Sequence, residues 1–136
     1  MIDVPVESRP EPGPRMRVLV VDDHVDCVLS IGRLLEALGY RVRLALDGRG
    51  ALDSATDFRP EAALVDLSLP DLDGFGVAER LRALPETRNA YLIAMTGWGT
   101  DDVRERVAAG GFDCHLVKPL SVGVLSNVLA SVHRSA

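Results

Sequence analysis

From Met16 onward, apolar residues come in short runs that alternate with stretches repeating at helical spacing. "MRVLVV" (16–21), "YRVRLAL" (40–46), "EAALVDL" (61–67), "AYLIAMT" (90–96) and "FDCHLV" (112–117) are short, largely apolar runs, the first of them β-branched, and predict strands. "YRVRLAL" alternates, so that strand is covered on one face. "VDCVLSIGRLLEALG" (25–39) predicts a helix with Val28, Ile31, Leu35 and Leu38 on one stripe, ended by Gly39. "GRGALDSATD" (48–57) predicts a short helix. "FGVAERLRAL" (75–84) predicts another, capped by Asp73 and stopped before Pro85. "TDDVRERVAAGG" (100–111) opens on Thr100 as N-cap with acids in its first turn, which complement the helix dipole. "SVGVLSNVLASVHR" (121–134) places Val122, Leu125, Val128, Leu129 and Val132 on one stripe. Residues 1–15, with Pro5, Pro10, Pro12 and Pro14 and few large apolar groups, predict a disordered or extended tail ahead of one folded domain over 16–136.

Five strand–helix units in alternation imply an α/β fold: a doubly wound parallel sheet of five strands with helices on both faces. Right-handed crossovers leave few topologies for it. Composition narrows the function. A net charge of −5 argues against nucleic acid as the main partner, because neutralising phosphates needs a basic patch. No apolar run approaches the roughly 20 residues of a membrane span, and the N-terminus lacks the basic-then-apolar order of a signal peptide. Cys27 and Cys114 have no metal-ligand spacing and are too few for a disulfide framework. A cytoplasmic, reduced protein is the simplest expectation, with each thiol a small apolar group.

In an open α/β sheet, ligands bind beyond the carboxyl ends of the strands. The first strand ends at Asp22–Asp23, the third at Asp66, the fourth at Thr96 and the fifth at Lys118. The second ends near Leu46 and offers no chemistry. Three carboxylates held close raise one another's pKa, and a divalent cation relieves the repulsion. Oxygen ligands with open water positions suit Mg²⁺ sharing a phosphoryl group. Lys118 and Thr96 would then present an ammonium and a hydroxyl to phosphoryl oxygens. A carboxylate can be the nucleophile, forming an aspartyl-phosphate. Asp66 stands alone at its strand end, which makes it the candidate nucleophile and leaves Asp22 and Asp23 as metal ligands.

"VLVVDDH", "LVDLSLPDLDG", "IAMTG" and "HLVKPL" together resemble the receiver domain of two-component response regulators, from about Arg17 to His133. "MTGWG" and "FDCHLVKPL" are more similar to receivers of hybrid sensor kinases than to those of DNA-binding regulators. The resemblance implies the flavodoxin-like strand order 2-1-3-4-5 with five helices. It implies that Asp66 accepts a phosphoryl group from the phosphohistidine of a sensor histidine kinase or histidine phosphotransfer protein. It also implies that Asp23, Asp66 and the backbone carbonyl of Ser68 bind Mg²⁺ directly and that Asp22 acts largely through water. Thr96 matches the hydroxyl that moves to the phosphoryl group, Lys118 matches the lysine that pairs with it, and the bond before Pro119 is expected to be cis. His115 falls where the family has its switch aromatic, either as a planar substitute or as a group that titrates near neutral pH. The surface of the fourth helix, fifth strand and fifth helix would change affinity for a downstream protein partner, with the chain a monomer or weak dimer. No output domain follows the last helix, so a stand-alone receiver and a fragment of a larger protein both fit.

Taken singly, most of these residues have plainer readings. Asp22–Asp23 could be an N-cap pair and Asp66 a turn acid. His24 and Asp26 are expected in the exposed first turn of the first helix, although beside the acid pair they also fit a transition-metal site. Asp71 and Asp73 are expected as turn and cap residues. Trp98 fits a partner contact or loop packing equally, and His133 is expected to be a dipole partner or a bystander. Two rival functions remain. A Mg²⁺-dependent aspartyl-phosphate phosphatase would carry an acid two residues after its nucleophile, where this chain has Ser68. A degenerate receiver that only binds partners would not need the complete set Asp22, Asp23, Asp66, Thr96 and Lys118. The expectation is therefore a self-phosphorylating and self-dephosphorylating signalling switch and not a turnover enzyme. Lys118 is the only lysine beside 14 arginines, either because the site needs a compact ammonium or because the chain is biased toward arginine. Lys118→Arg should separate these: near-normal folding and Mg²⁺ binding, with switching impaired by about tenfold or more, read as partner binding with and without phosphodonor.

Overall fold

The computed structural model of the chain describes residues 16–97 and 99–135, the last three as backbone only. The expectations for the N-terminal tail, Trp98 and the His133 side chain lie outside the described residues. The elements run β1 (Arg17–Val21), α1 (Val25–Ala37), β2 (Arg41–Ala45), α2 (Gly48–Phe58), β3 (Ala62–Asp66), α3 (Gly74–Ala83), β4 (Tyr91–Thr96), α4 (Asp101–Ala109), β5 (Cys114–Val117) and α5 (Val122–Ser135). All strand pairs are parallel, and the order is β2-β1-β3-β4-β5. This is the flavodoxin-like order that the resemblance implied. Among the described residues, no helix is long and apolar enough to cross a membrane.

Alternation along the inner strands divides the core in two. Val18 and Val20 of β1, Ala62 and Leu64 of β3, and Ile93 and Met95 of β4 face α1 and α5, where they meet Val28, Ile31, Leu35, Leu125 and Leu129. Leu19, Val21, Ala63, Val65, Leu92 and Ala94 face the other way and pack with Ala51 and Ala55 of α2, Val77, Ala78 and Leu81 of α3, and Val107 of α4. Both faces of β1, β3 and β4 are covered, which is why these strands read as unbroken apolar runs. Each fully buried Leu or Val contributes roughly 1.5–3 kcal/mol relative to exposure.

The helix stripes end sooner than their periodicity implies. Leu38 is the C-cap of α1 and 42% exposed, and Val122, the first residue of α5, is 53% exposed. Both stand at a helix end. The fifth strand starts two residues later than its apolar run. Phe112 turns inward edge-on to Phe75, with ring centroids 6.0 Å apart. The Asp113 carboxylate accepts from Arg82 Nη2 at 2.7 Å and from the Leu92 amide at 2.9 Å. The same guanidinium donates to the carbonyls of Arg88, Ala90 and Gly111, and so ties the end of α3 to the starts of β4 and β5.

Gly74 sets how closely α3 begins to the end of β3. Its amide donates to the Leu67 carbonyl at 3.1 Å. A Cβ there would lie 2.6 Å from the Asp66 carbonyl oxygen and 2.7 Å from Leu67 Cα, which are backbone atoms that cannot swing aside. Gly123 of α5 is a contrast, since its added Cβ would meet only Ser121 Oγ at 3.8 Å. Gly74→Ala should therefore cost about 1–3 kcal/mol in urea unfolding. Gly123→Ala should be neutral or stabilising by up to about 1 kcal/mol.

Candidate functional site

Each strand-end residue is placed by the hydrogen bonds that continue its ladder. The Asp22 amide donates to the Ala45 carbonyl at 3.1 Å, Leu67 to Met95 at 3.0 Å and Lys118 to Thr96 at 2.8 Å. These bonds carry Asp22, Asp66, Thr96 and Lys118 to one edge of the sheet, at the carboxyl ends of β1, β3, β4 and β5. Asp22, Asp66 and Thr96 are buried, at 0%, 4% and 5% exposure. Lys118 reaches between the two acids, with Nζ 2.7 Å from Asp22 Oδ2 and 2.9 Å from Asp66 Oδ2. The Lys118–Pro119 peptide bond is cis. The other oxygen of each acid has a separate partner. Asp66 Oδ1 accepts the Ser68 amide at 3.0 Å, and Asp22 Oδ1 accepts the His24 amide at 3.0 Å. Asp22, Asp23, His24 and Asp66 each bring one ligand atom into a group whose atoms lie within 4.8 Å of one another.

The chain matches the response regulator receiver domain over residues 18–130. It belongs to that family. The transcriptional regulatory protein PrrA of Mycobacterium tuberculosis is 40% identical over 118 residues, covering 85% of this chain and 48% of PrrA. The chain thus spans about half the length of this curated relative. Among solved structures, the Vibrio cholerae chemotaxis protein CheY4 superposes with a TM-score of 0.83 at 27% identity, covering 87% of this chain and 98% of CheY4. The receiver domain of a Pseudomonas aeruginosa sensor histidine kinase, with magnesium coordinated in its active-site cleft, gives a TM-score of 0.79 at 33% identity, covering 86% and 96%.

Within this receiver the two buried acids titrate in opposite directions. Burial pushes the Asp22 carboxyl up, but hydrogen bonds from Lys118, from the His24 amide and ring, and from Cys27 outweigh it and hold Asp22 well below the usual carboxylate range. Burial also pushes the Asp66 carboxyl up. The Ser68 amide and Lys118 oppose that without overcoming it, and the Asp22 charge adds to it, so Asp66 stays above the usual range. Lys118 is lowered by burial but raised further by the two carboxylates, and so remains an ammonium.

His24 and Asp26 are both exposed, as the first turn of α1 implies. The His24 ring is nonetheless part of the acid cluster. His24 is the N-cap of α1 at φ −85° and ψ 106°, its side chain makes no capping bond, and Nδ1 lies 3.0 Å from Asp22 Oδ1 and 3.3 Å from Asp23 Oδ1. His115 sits elsewhere. It pairs with Ala94 on the edge strand, which puts it on the same sheet face as Ala94 and Thr96. It is half-buried, and its Nε2 is buried without a hydrogen-bond partner among the described residues.

Asp73 and Thr100 cap their own helices. Asp71 caps a different one. Its carboxylate accepts the Gly48 amide at 2.8 Å and the Arg49 amide at 3.0 Å, so the loop after Asp66 is fastened to the N-terminus of α2. Those two bonds hold the Asp71 carboxyl below its ordinary range.

The shifts have opposite consequences for stability. Asp22, depressed in the fold, contributes stability above its unfolded pKa that is lost as pH falls through the folded value. Asp66, raised in the fold, costs stability when ionised, and the cost fades as pH falls through its folded value toward the unfolded one. Asp66→Asn should therefore raise the thermal midpoint of the metal-free protein at neutral pH. The gain should shrink as pH is lowered toward about 4, which calorimetry across that range will show.

Proposed function

We propose that Asp66 accepts a phosphoryl group from the phosphohistidine of a sensor histidine kinase or histidine phosphotransfer protein, and that the chain works as a phosphorylation-dependent switch. The carrying observation is the Lys118 ammonium shared between Asp22 and Asp66 in a buried acid cluster at the strand ends. An Asp66 oxygen attacks phosphorus, the P–O bond forms as the P–N bond breaks, and the imidazole of the donor leaves. Transfer removes the carboxylate charge of Asp66. Lys118 then pairs with the phosphoryl oxygens while keeping its hold on Asp22.

The carboxylates of Asp22, Asp23 and Asp66 are hard oxygen donors close enough to share one ion, and they fit a divalent cation. With the Ser68 carbonyl they would hold Mg²⁺, whose charge when bound offsets that of the carboxylates and of the incoming phosphoryl oxygens. The magnesium-bound Pseudomonas receiver supports this assignment. Thr96 turns its hydroxyl to the phosphoryl group. His115, on the same sheet face, follows and alters the α4–β5–α5 surface that a downstream protein reads. The shift is a population change driven by contacts that only the phosphorylated state makes. The receiver acts in solution as a monomer or weak dimer and recognises proteins, not nucleic acid.

The test is uptake of labelled phosphate from acetyl phosphate. One acid-stable, base-labile phosphoryl group should be incorporated, only with Mg²⁺ present. Asp66→Ala should take up none, and normal labelling of that variant would remove Asp66 from the assignment.

A further inference from the structure

The receiver reading uses three carboxylates and leaves the fourth member of the cluster without a role. Two nitrogen groups around Asp22 divide its carboxylate between them: Lys118 takes Oδ2 at 2.7 Å and His24 Nδ1 takes Oδ1 at 3.0 Å. On that same side the ring also faces Asp23 Oδ1 at 3.3 Å. A ring N–H that bridges oxygens of two different carboxylates occupies the place of a small cation. Among the described residues no other hydrogen bond or ion pair holds the ring. It does not cap α1, although it stands at the N-cap, and its side chain is 70% exposed, so a hydrated ion can reach it and the ring can adjust.

We infer that His24 Nδ1 is a ligand of the receiver's metal centre, and that it adapts the site to borderline divalent cations such as Zn²⁺, Ni²⁺ and Cu²⁺. This rests on the metal-assisted reading above. Imidazole suits these ions, whereas Mg²⁺ prefers oxygen and water. Coordination takes the neutral ring, so the Nδ1 proton passes to solvent as the ion replaces it. Donor atoms around one ion with bonds of about 2.1 Å lie no more than roughly 4.2 Å apart. The observed spread of up to 4.8 Å therefore needs only a small contraction, which the exposed Asp23 and His24 side chains can supply. Asp26, in the first turn of α1, is not in the cluster and is not a ligand.

Carboxylates alone already favour Zn²⁺ and Cu²⁺ over Mg²⁺ by the general affinity order of these ions, so the informative quantity is what the imidazole adds. The experiment compares the intact chain with His24→Phe, by calorimetric titration with Zn²⁺ and Mg²⁺ and by electron paramagnetic resonance of bound Cu²⁺. Replacing His24 should weaken Zn²⁺ by about tenfold or more and leave Mg²⁺ within about twofold. It should also abolish the nitrogen coupling in the Cu²⁺ spectrum. Equal Zn²⁺ affinity in the two proteins, or nitrogen coupling that survives in His24→Phe, would overturn the inference. Mg²⁺-dependent phosphorylation is measured on both proteins in parallel. If it proceeds in both while the nitrogen signature is absent, only the role of His24 fails. If the parent chain takes up no phosphoryl group, the receiver reading itself fails.

Discussion

The Lys118 ammonium holds together two buried carboxylates that would otherwise repel each other. Asp22 and Asp66 end adjacent parallel strands and are almost wholly out of water. Two such charges side by side are unfavourable in a fold, and a shared cation 2.7 and 2.9 Å away makes the arrangement tenable. The sharing is unequal in effect. Asp22 collects additional donors from His24 and stays firmly ionised, whereas Asp66 has fewer and is poised higher. One acid is thus kept as a fixed charge and the other is left the more responsive to whatever next approaches the site.

The rest of the fold keeps that trio in place. β3 is buried along its whole length and delivers Asp66 at its end. The loop that follows is pinned twice, by Gly74 against the Asp66 carbonyl and by Asp71 on the N-terminus of α2. At the amino side of the sheet, away from the acids, Arg82 fastens the end of α3 to the starts of β4 and β5. The reactive edge carries polar groups that can rearrange, and the amino side carries a saturated guanidinium.

Most of the fold was legible because the strands are buried on both faces and announce themselves as apolar runs. In a parallel sheet their final residues must meet at one edge, so Asp22, Asp66, Thr96 and Lys118 could be grouped from sequence. Strand order could not be read from periodicity and came through the resemblance. Asp71 was legible only as a turn acid, because its partners lie 22 and 23 residues earlier, on another helix. The orientation of His24 was equally hidden. It depends on an N-cap backbone conformation that turns the ring away from the helix and onto the acids. Leu38 and Val122 obey the helical period yet stay exposed, since period says which way a residue faces and not whether a sheet lies there.

The lone lysine among 14 arginines then has a physical account. A guanidinium is a flat fork suited to both oxygens of one carboxylate. At this site the cation must meet one oxygen on each of two carboxylates from different strands, which suits a compact ammonium with freely directed donors. A planar fork seated on one acid would meet the other less directly, which alters the geometry offered to an incoming phosphoryl group more than the charge balance of the fold. Using only the Oδ2 atoms also leaves each Oδ1 for other work, the Ser68 amide on Asp66 and the His24 amide and ring on Asp22. The ammonium's shape therefore decides more than charge balance: it determines which oxygens remain open to an incoming ion or phosphoryl group.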